Sequence, residues 1–291
     1  MMWIATLLGG VLVLVAWRDV FTTLWHPSGR GPVGTALMRV VWRLSGRLGT
    51  GGRRLSGPVA MVLVIVTWAA LLVVGCALVY WPHLPERFSY GPGLLPGERN
   101  GFIDALYVSL VALTTLGLGD IVPTGAWLRL LVPLEALLGF ALLTAAVSWV
   151  LQVYPALTRR RVLSLRLDAL RRARTTDALP GLQASTTVAL LAGVADAVGK
   201  VHVDLLQYSE TYYFRDADAR TTLAVTVPYA VELARTARAS ENADVRHAAA
   251  VLSEVIDDLA TVLGEQFLHA DADTAGILAA YRRDQSVRSP E

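Results

Sequence analysis

Three long apolar segments constrain this chain more than any other feature of its sequence. They are residues 1–17 (extending to about residue 25), 55–81 and 130–153; the second has no charged residue and the third has only Glu135. Each is long enough to cross the hydrocarbon core of a bilayer, roughly 30 Å thick. With 54% hydrophobic residues and a mean hydropathy of +0.48, the chain is too apolar for an ordinary soluble protein. We therefore expect an all-α membrane protein with three transmembrane helices.

The placement of arginine predicts how these helices are oriented. The connection 26–57 contains six arginines and no acid, whereas arginines and glutamates balance in residues 82–100. Seven more arginines lie in residues 159–174, soon after the third apolar segment. Because basic loops stay in the cytoplasm, we expect a multi-pass protein of the cell (inner) membrane, with its N-terminus outside and its C-terminal region cytoplasmic. The first segment lacks the basic start and the cleavage site of a signal peptide, so we interpret it as a retained helix. The excess of arginine over lysine hints at a GC-rich bacterial genome.

A short apolar segment and a glycine-containing run separate the second and third long segments. Residues 102–113 are too few to cross a bilayer. They are followed by Thr114-Thr115-Leu116-Gly117-Leu118-Gly119-Asp120. Glycine permits backbone conformations that other residues resist. This pattern suits a strand whose backbone carbonyls replace the hydration shell of an ion.

The run resembles the pore helix and selectivity filter of the potassium-channel family, where it reads T-V-G-Y-G-D between two spanning helices. The resemblance covers about residues 58–155 and extends to Asp120-Ile121-Val122-Pro123. It implies a homotetramer in which each chain supplies one reentrant pore helix, one filter strand and one inner helix. By the same resemblance, the filter ion-binding residues are Thr115, Leu116, Gly117, Leu118 and Gly119, Asp120 lies at the outer mouth, and Gly139 is the hinge of the inner helix.

The function that the resemblance implies is a potassium-selective channel that passes ions passively. Apart from potassium ions in the filter, we expect no cofactor or metal, no catalytic residues and no enzyme activity. The expected partners are potassium, membrane lipid and identical chains, and not nucleic acid. Two alternatives stay open: a weakly selective cation channel, and a non-conducting membrane receptor that signals through its C-terminal domain.

The chain departs from the family at the residues that usually brace the filter. Leu118 replaces the filter tyrosine, and Val108 and Val111 replace pore-helix residues that support the filter in relatives. Glu135, four residues before Gly139, is the candidate filter support, because a carboxylate inside a span needs a partner. We expect it to bond to the backbone of the filter or pore helix. The alternative is a neutral glutamate between helices.

The inner helix also carries a candidate gate. The candidate cavity and gate residues, spaced at the helical period below Gly139, are Phe140, Leu143, Val147 and Leu151. An apolar constriction of this kind can gate by dewetting. Pro133 is expected to kink the inner helix, and Pro155 to end it. Tyr80 is assigned to an aromatic belt at the outer interface.

The sequence predicts four regions: an N-terminal transmembrane helix (1–25), a basic amphipathic cytoplasmic linker (26–57), the pore domain (58–155) and a cytoplasmic helical domain (156–291). In the last region, Leu252, Val255, Ile256, Leu259 and Leu263 recur at the helical period. We expect this domain to modulate gating. It lacks the G-x-G-x-x-G dinucleotide fingerprint. The aromatic residues Tyr208, Tyr212, Tyr213 and Phe214 are expected to form core packing or a subunit interface.

Overall fold

The computed structural model describes residues 2–24, 31–45, 55–216 and 218–285, and nearly all regular structure in them is helical. The helices are α1 (Met2–Leu24), α2 (Pro32–Ser45), α3 (Ser56–Tyr80), α4 (Phe102–Leu113), α5 (Leu128–Arg172), α6 (Thr175–Ala178), α7 (Ala184–Gln207), α8 (Leu223–Arg238), α9 (Ala243–Leu263) and α10 (Thr274–Gln285). Two short strands, β1 (Phe88–Tyr90) and β2 (Ile121–Pro123), pair antiparallel, with Ser89 opposite Val122. By length and composition, the segments Trp3–Leu24, Ser56–His83 and Leu128–Arg172 can each cross a membrane. The expectation of three long apolar helices is confirmed.

The chain divides into two compact units, and the first comprises residues 1–39 and 60–151. In it, α1 packs against α3 at a pair of glycines. A Cβ atom added to Gly75 would lie 2.9 Å from the carbonyl oxygen of Gly9 and 2.8 Å from Val13. Small residues allow this close approach, which is a common way to pack helices in membranes.

A buried carboxylate joins three helices of this first unit. Asp19 of α1 is 1% exposed. It accepts hydrogen bonds from the backbone N–H groups of Val33 (2.8 Å) and Gly34 (3.1 Å), in the first turn of α2. It also accepts one from the indole of Trp68 in α3, at 2.7 Å. Asp19 therefore satisfies N–H groups that have no partner inside α2, and its charge is favourable at that helix N-terminus.

The inner helix α5 is longer than its sequence predicts. It runs for 45 residues without interruption, and both Pro133 and Pro155 lie inside it. The prediction that Pro155 ends the inner helix is therefore wrong. Proline removes one backbone hydrogen bond, but Val153, Ala156 and Leu157 around it are at most 1% exposed. The packing of this buried face offsets the lost bond.

The second unit comprises residues 40–59 and 152–291, and its core lies among α7, α8 and α9. The predicted apolar face of α9 is confirmed: Leu252, Ile256, Leu259 and Leu263 are at most 1% exposed, and Val255 is half-buried. Asn242 caps this helix by accepting from the N–H groups of Asp244 and Val245.

The aromatic residues Tyr212, Tyr213 and Phe214 are buried. Tyr212 stacks on Phe267, with ring centroids 4.2 Å apart. The prediction of core packing is confirmed for these three residues.

We predict that Asp19→Asn lowers the Tm of the purified protein in detergent. An asparagine amide offers one acceptor oxygen, and its N–H₂ group faces other donors. Losing a buried hydrogen bond to a charged group costs about 1.5–3 kcal/mol. The matched control is Asp177→Asn, at an exposed aspartate outside the membrane segments. Equal Tm values for the two variants would show that Asp19 does not hold α1, α2 and α3 together.

Candidate functional site

The site begins where α4 ends and the chain turns back. Asp104, in the first turn of α4, accepts a hydrogen bond from the N–H of Gly101 at 3.1 Å. At the other end, the N–H groups of Thr115, Leu116 and Gly117 bond to the carbonyls of Ala112 or Val111, at 2.9–3.4 Å. These bonds satisfy carbonyls at the end of α4 that have no partner within the helix. They also fix the start of the next segment against α4. This segment, residues 115–119, is what we call the filter strand.

The strand after α4 has an unusual backbone. Thr115, Gly117 and Gly119 have φ angles of 57°, 56° and 78°, whereas φ is not positive at Leu116 and Leu118. In an ordinary extended strand, successive carbonyls point to opposite sides. When the sign of φ changes at every second residue, the backbone conformation alternates between left-handed and right-handed, and the carbonyls turn towards one side. Among the described residues, no hydrogen bond is made to the carbonyls of residues 115–118. The strand therefore presents a row of carbonyls that can coordinate a cation.

Thr115 is the strained member of this row. A positive φ is rare for a β-branched residue. Backbone strain of this kind persists only where the surrounding structure imposes it, and it clusters at functional sites. The predicted filter residues are thus brought together in one strand. The side chains of Leu116 and Leu118 are 63% and 58% exposed in the single chain.

The outer end of the strand is braced by a hydrogen bond that the sequence analysis missed. The hydroxyl of Tyr107 in α4 donates to Oδ2 of Asp120 at 2.6 Å. Oδ1 of Asp120 accepts from the N–H of Ile121, and its carbonyl accepts from the N–H of Gly91 at 2.7 Å. This end of the filter is therefore braced, although Leu118, Val108 and Val111 carry no side chain that could brace it. The sequence signal that could have indicated this bond is Tyr107 itself, which lies two helical turns before Thr115.

Glu135 bonds to side chains, and the expectation that it bonds to the backbone of the filter or pore helix is wrong. It is 1% exposed. Its Oε2 accepts from the hydroxyl of Tyr80 at 2.6 Å, and its Oε1 lies 2.5 Å from Oγ of Ser109 in α4. Tyr80 is fully buried, so its assignment to an exposed aromatic belt is also wrong. Glu135 links the inner helix to the outer helix α3 and to α4.

The hydroxyl of Ser109 limits the proton arrangement around Glu135. It carries one proton, yet it lies within hydrogen-bond distance of two acceptors, the Glu135 carboxyl (2.5 Å) and the Val73 carbonyl (2.9 Å). A charged carboxylate can receive this proton only at the expense of Val73. A neutral carboxyl donates its own proton to Ser109 and leaves the serine proton for Val73. The geometry therefore accommodates a neutral Glu135 with every polar atom paired.

Gly139 lies in close contact with the end of α4. A Cβ atom added there would collide with the carbonyl oxygen of Leu113 and would lie 2.8 Å from its carbonyl carbon. Glycine is thus required here for close packing against α4. The helix is continuous through Gly139, and its role as a hinge stays a prediction.

The predicted cavity and gate residues lie on one exposed face of α5. Phe140, Leu143, Val147 and Leu151 are 51–67% exposed in the single chain. They recur every three or four residues and therefore form a stripe along the helix. An exposed apolar stripe of this kind is suited to lining a pore formed with other chains.

Within the second unit, three consecutive arginines of α5 bind residues that follow in the chain. Arg159 makes two bonds to Asp204, at 2.7 and 2.5 Å. Arg160 is 4% exposed and donates to the carbonyls of Thr211 (2.5 Å) and Phe214 (2.8 Å) and to Asp216 (3.0 Å). Arg161 donates to the same Asp216 at 2.6 Å. Residues 209–216, which we call the strap, are therefore fixed to the inner helix.

The strap also contacts α2 and the first turn of the outer helix. The ring of Trp42 packs on Tyr212 and Tyr213, with centroids 5.9 and 5.6 Å away. The hydroxyl of Ser56 donates to the carbonyl of Tyr213 at 3.2 Å, and Phe214 lies against Gly57. Burial and the nearby Asp284 carboxylate raise the pKa of Tyr212, so its phenol stays neutral and donates to Asp284 at 2.5 Å. The strap thus contacts four helices: α2, α3, α5 and α10.

We predict that Glu135→Gln keeps Tm near the wild-type value, whereas Glu135→Ala lowers it. The glutamine amide can donate to Ser109 and accept from Tyr80, as the neutral acid does. Alanine leaves the buried Tyr80 hydroxyl unpaired, at a cost of about 1–3 kcal/mol. Leu137→Ala, on an exposed part of the same helix, is the control for truncation. If glutamine is as damaging as alanine, the negative charge is required and the neutral arrangement is excluded.

Comparison with known proteins agrees with this geometry. Residues 62–154 match the family model described as an ion channel. The uncharacterized membrane protein YdjJ of Bacillus subtilis (strain 168) is 32% identical over 175 residues, a match that covers 56% of this chain and 49% of that protein. The chain thus spans about half the length of this relative. No solved structure matches this chain. Residues 62–154 are therefore similar to an ion channel domain, in agreement with the resemblance of the T-T-L-G-L-G-D run.

Proposed function

We propose that the protein is a homotetrameric, potassium-selective channel. The observation that carries the proposal is the strand of residues 115–119, in which handedness alternates and the carbonyls of residues 115–118 have no hydrogen-bond partner among the described residues. Oxygen atoms spaced along one strand can replace the water around a dehydrated cation. Because one strand cannot encircle an ion, four chains contribute one strand each.

The remaining predicted residues have roles in the same pore. Asp120 concentrates cations at the outer mouth, since a carboxylate in a cleft raises the local cation concentration. The stripe of Phe140, Leu143, Val147 and Leu151 lines the cavity and forms the gate. The C-terminal end of α4 carries a partial negative charge that favours a cation in the cavity. Leu118 has no hydroxyl, so Tyr107 and Asp120 brace the outer filter.

The C-terminal domain regulates this pore through the strap. Arg160 fixes the strap to α5, and Ser56 and Gly57 fix it to the start of α3. A movement that separates these helix segments must break either the buried bonds of Arg160 or the contacts of Ser56 and Gly57 with the strap. Any ligand that binds the domain unequally in its closed and open states shifts the gating equilibrium. The placement of arginine supports a cytoplasmic location for the domain and an extracellular N-terminus.

Ion flux into liposomes tests the pore directly. We predict that the wild-type protein gives a reversal potential close to the potassium equilibrium potential under a potassium/sodium gradient. Gly117→Ala should abolish this selectivity, because Gly117 has a positive φ that alanine resists. Gly97→Ala is the control, since its Cβ atom would enter open space. Equal permeability to sodium would leave a weakly selective cation channel, and no flux at all would favour a receptor.

Arg160 provides the test of regulation. We predict that Arg160→Gln changes the open probability of single channels while the protein still assembles, because the variant loses the bonds that fix the strap. Arg282→Gln removes the same charge from an exposed position of α10 and serves as the control. An unchanged open probability, with only a lower Tm, would make the strap a purely structural contact.

A further inference from the structure

A cavity of about 450 Å³ lies at one end of the membrane spans, and no residue of the filter strand lines it. It is lined by Trp3 and Thr6 of α1, by Pro82, His83, Glu86 and Arg87 after α3, and by Trp127 just before α5. All of these residues belong to the unit that carries the channel domain. Its volume lies within the range of small-molecule sites, roughly 300–1,000 Å³.

The cavity lies at the level of lipid headgroups. The three candidate spans begin at Trp3, end at His83 and begin at Leu128, so one end of each contributes to it or adjoins it. It is on the side of the filter mouth, because the N–H of Thr124, four residues after Asp120, bonds to the carbonyl of Arg87 at 2.9 Å. Tryptophan side chains prefer this depth, where their rings meet both hydrocarbon and headgroups.

Part of the lining of the cavity is aromatic. The ring of His83 meets that of Trp127 edge to face, with centroids 5.0 Å apart. Trp3 is 82% exposed, and Trp127 is 40% exposed. Exposed indole faces attract organic ammonium groups within about 6 Å of the ring.

The lining also carries two opposite charges, Glu86 and Arg87, that are not paired with each other. Glu86 and Arg87 are adjacent in sequence and exposed. In the part of the chain that the structure describes, neither side chain makes an ion pair or a hydrogen bond. A carboxylate and a guanidinium that face the same cavity provide one acceptor for an ammonium and one bidentate donor for a phosphate.

We propose that this cavity binds the headgroup of a zwitterionic phospholipid of the phosphoethanolamine type. Arg87 binds the phosphate, Glu86 accepts hydrogen bonds from the ammonium, and the faces of Trp3 and Trp127 cover its methylene groups. A primary ammonium has three N–H donors for Glu86, whereas the quaternary ammonium of a choline headgroup has none. A lipid without an ammonium leaves Glu86 unused. The site is independent of ion conduction through the filter.

Native mass spectrometry of the full chain, released from detergent with defined lipids, tests this proposal. We expect phosphatidylethanolamine to be retained in preference to phosphatidylcholine and phosphatidylglycerol of the same acyl chains. Glu86→Gln should reduce its retention by about two- to fivefold, the value of an exposed ion pair, and should leave phosphatidylglycerol unaffected. Arg87→Gln should reduce retention of both lipids.

Glu98→Gln removes the same charge from an exposed position outside the cavity and is the matched control. Trp3→Leu, which alters an exposed side chain and cannot empty a core, should also weaken retention. Retention of phosphatidylglycerol at least as strong as that of phosphatidylethanolamine would overturn the proposal in favour of an anionic-lipid site. A Glu86→Gln variant that behaves like Glu98→Gln would overturn it as well. Because the readout is bound lipid, neither result depends on whether the channel conducts potassium.

Discussion

Backbone carbonyls without hydrogen-bond partners are the constraint on which the channel domain depends. Within a membrane protein such groups are costly unless a cavity or an ion satisfies them. The strand of residues 115–118 nevertheless keeps its carbonyls unbonded among the described residues, and it holds Thr115 at a positive φ. Neighbouring groups must therefore maintain the strand. Its N–H groups bond to the end of α4, Tyr107 holds Asp120, and α5 packs against Leu113 through Gly139.

Two buried acids each hold three helices of the first unit together through hydrogen bonds. Asp19 joins α1, α2 and α3, and Glu135 joins α3, α4 and α5. Each carboxyl group is 1% exposed and has partners for both of its oxygens. A buried acid with no partner would be strongly destabilising. With their partners in place, these acids fix which faces of the helices meet, a specification that apolar contacts alone do not provide.

The sequence predicts the elements of the channel domain better than their contacts. Apolar length locates the spans, and the glycine spacing locates the strand, because both depend on local chemistry. That Glu135 needs a buried partner could be inferred from its burial cost alone. Its partners could not, because Tyr80 and Ser109 lie 55 and 26 residues away and are brought together only by packing.

The continuation of α5 beyond Pro155 was mispredicted for a related reason. Proline is a local signal against a helix, whereas the burial of Val153, Ala156 and Leu157 is a tertiary effect that exceeds it. The bonds between Arg160 and residues 211–216 likewise join segments more than 50 positions apart. Sequence periodicity could show a helical domain there, but it could not show which arginine is buried in it.

Anomalous diffraction from thallium ions, which substitute for potassium, would test the central claim most directly. In crystals of the full chain, the account predicts a row of anomalous peaks on a four-fold axis, each coordinated by the carbonyls of residues 115–118 from four chains. A four-fold axis with no ion between these carbonyls, or a crystal in which the strands of different chains do not meet, would contradict it.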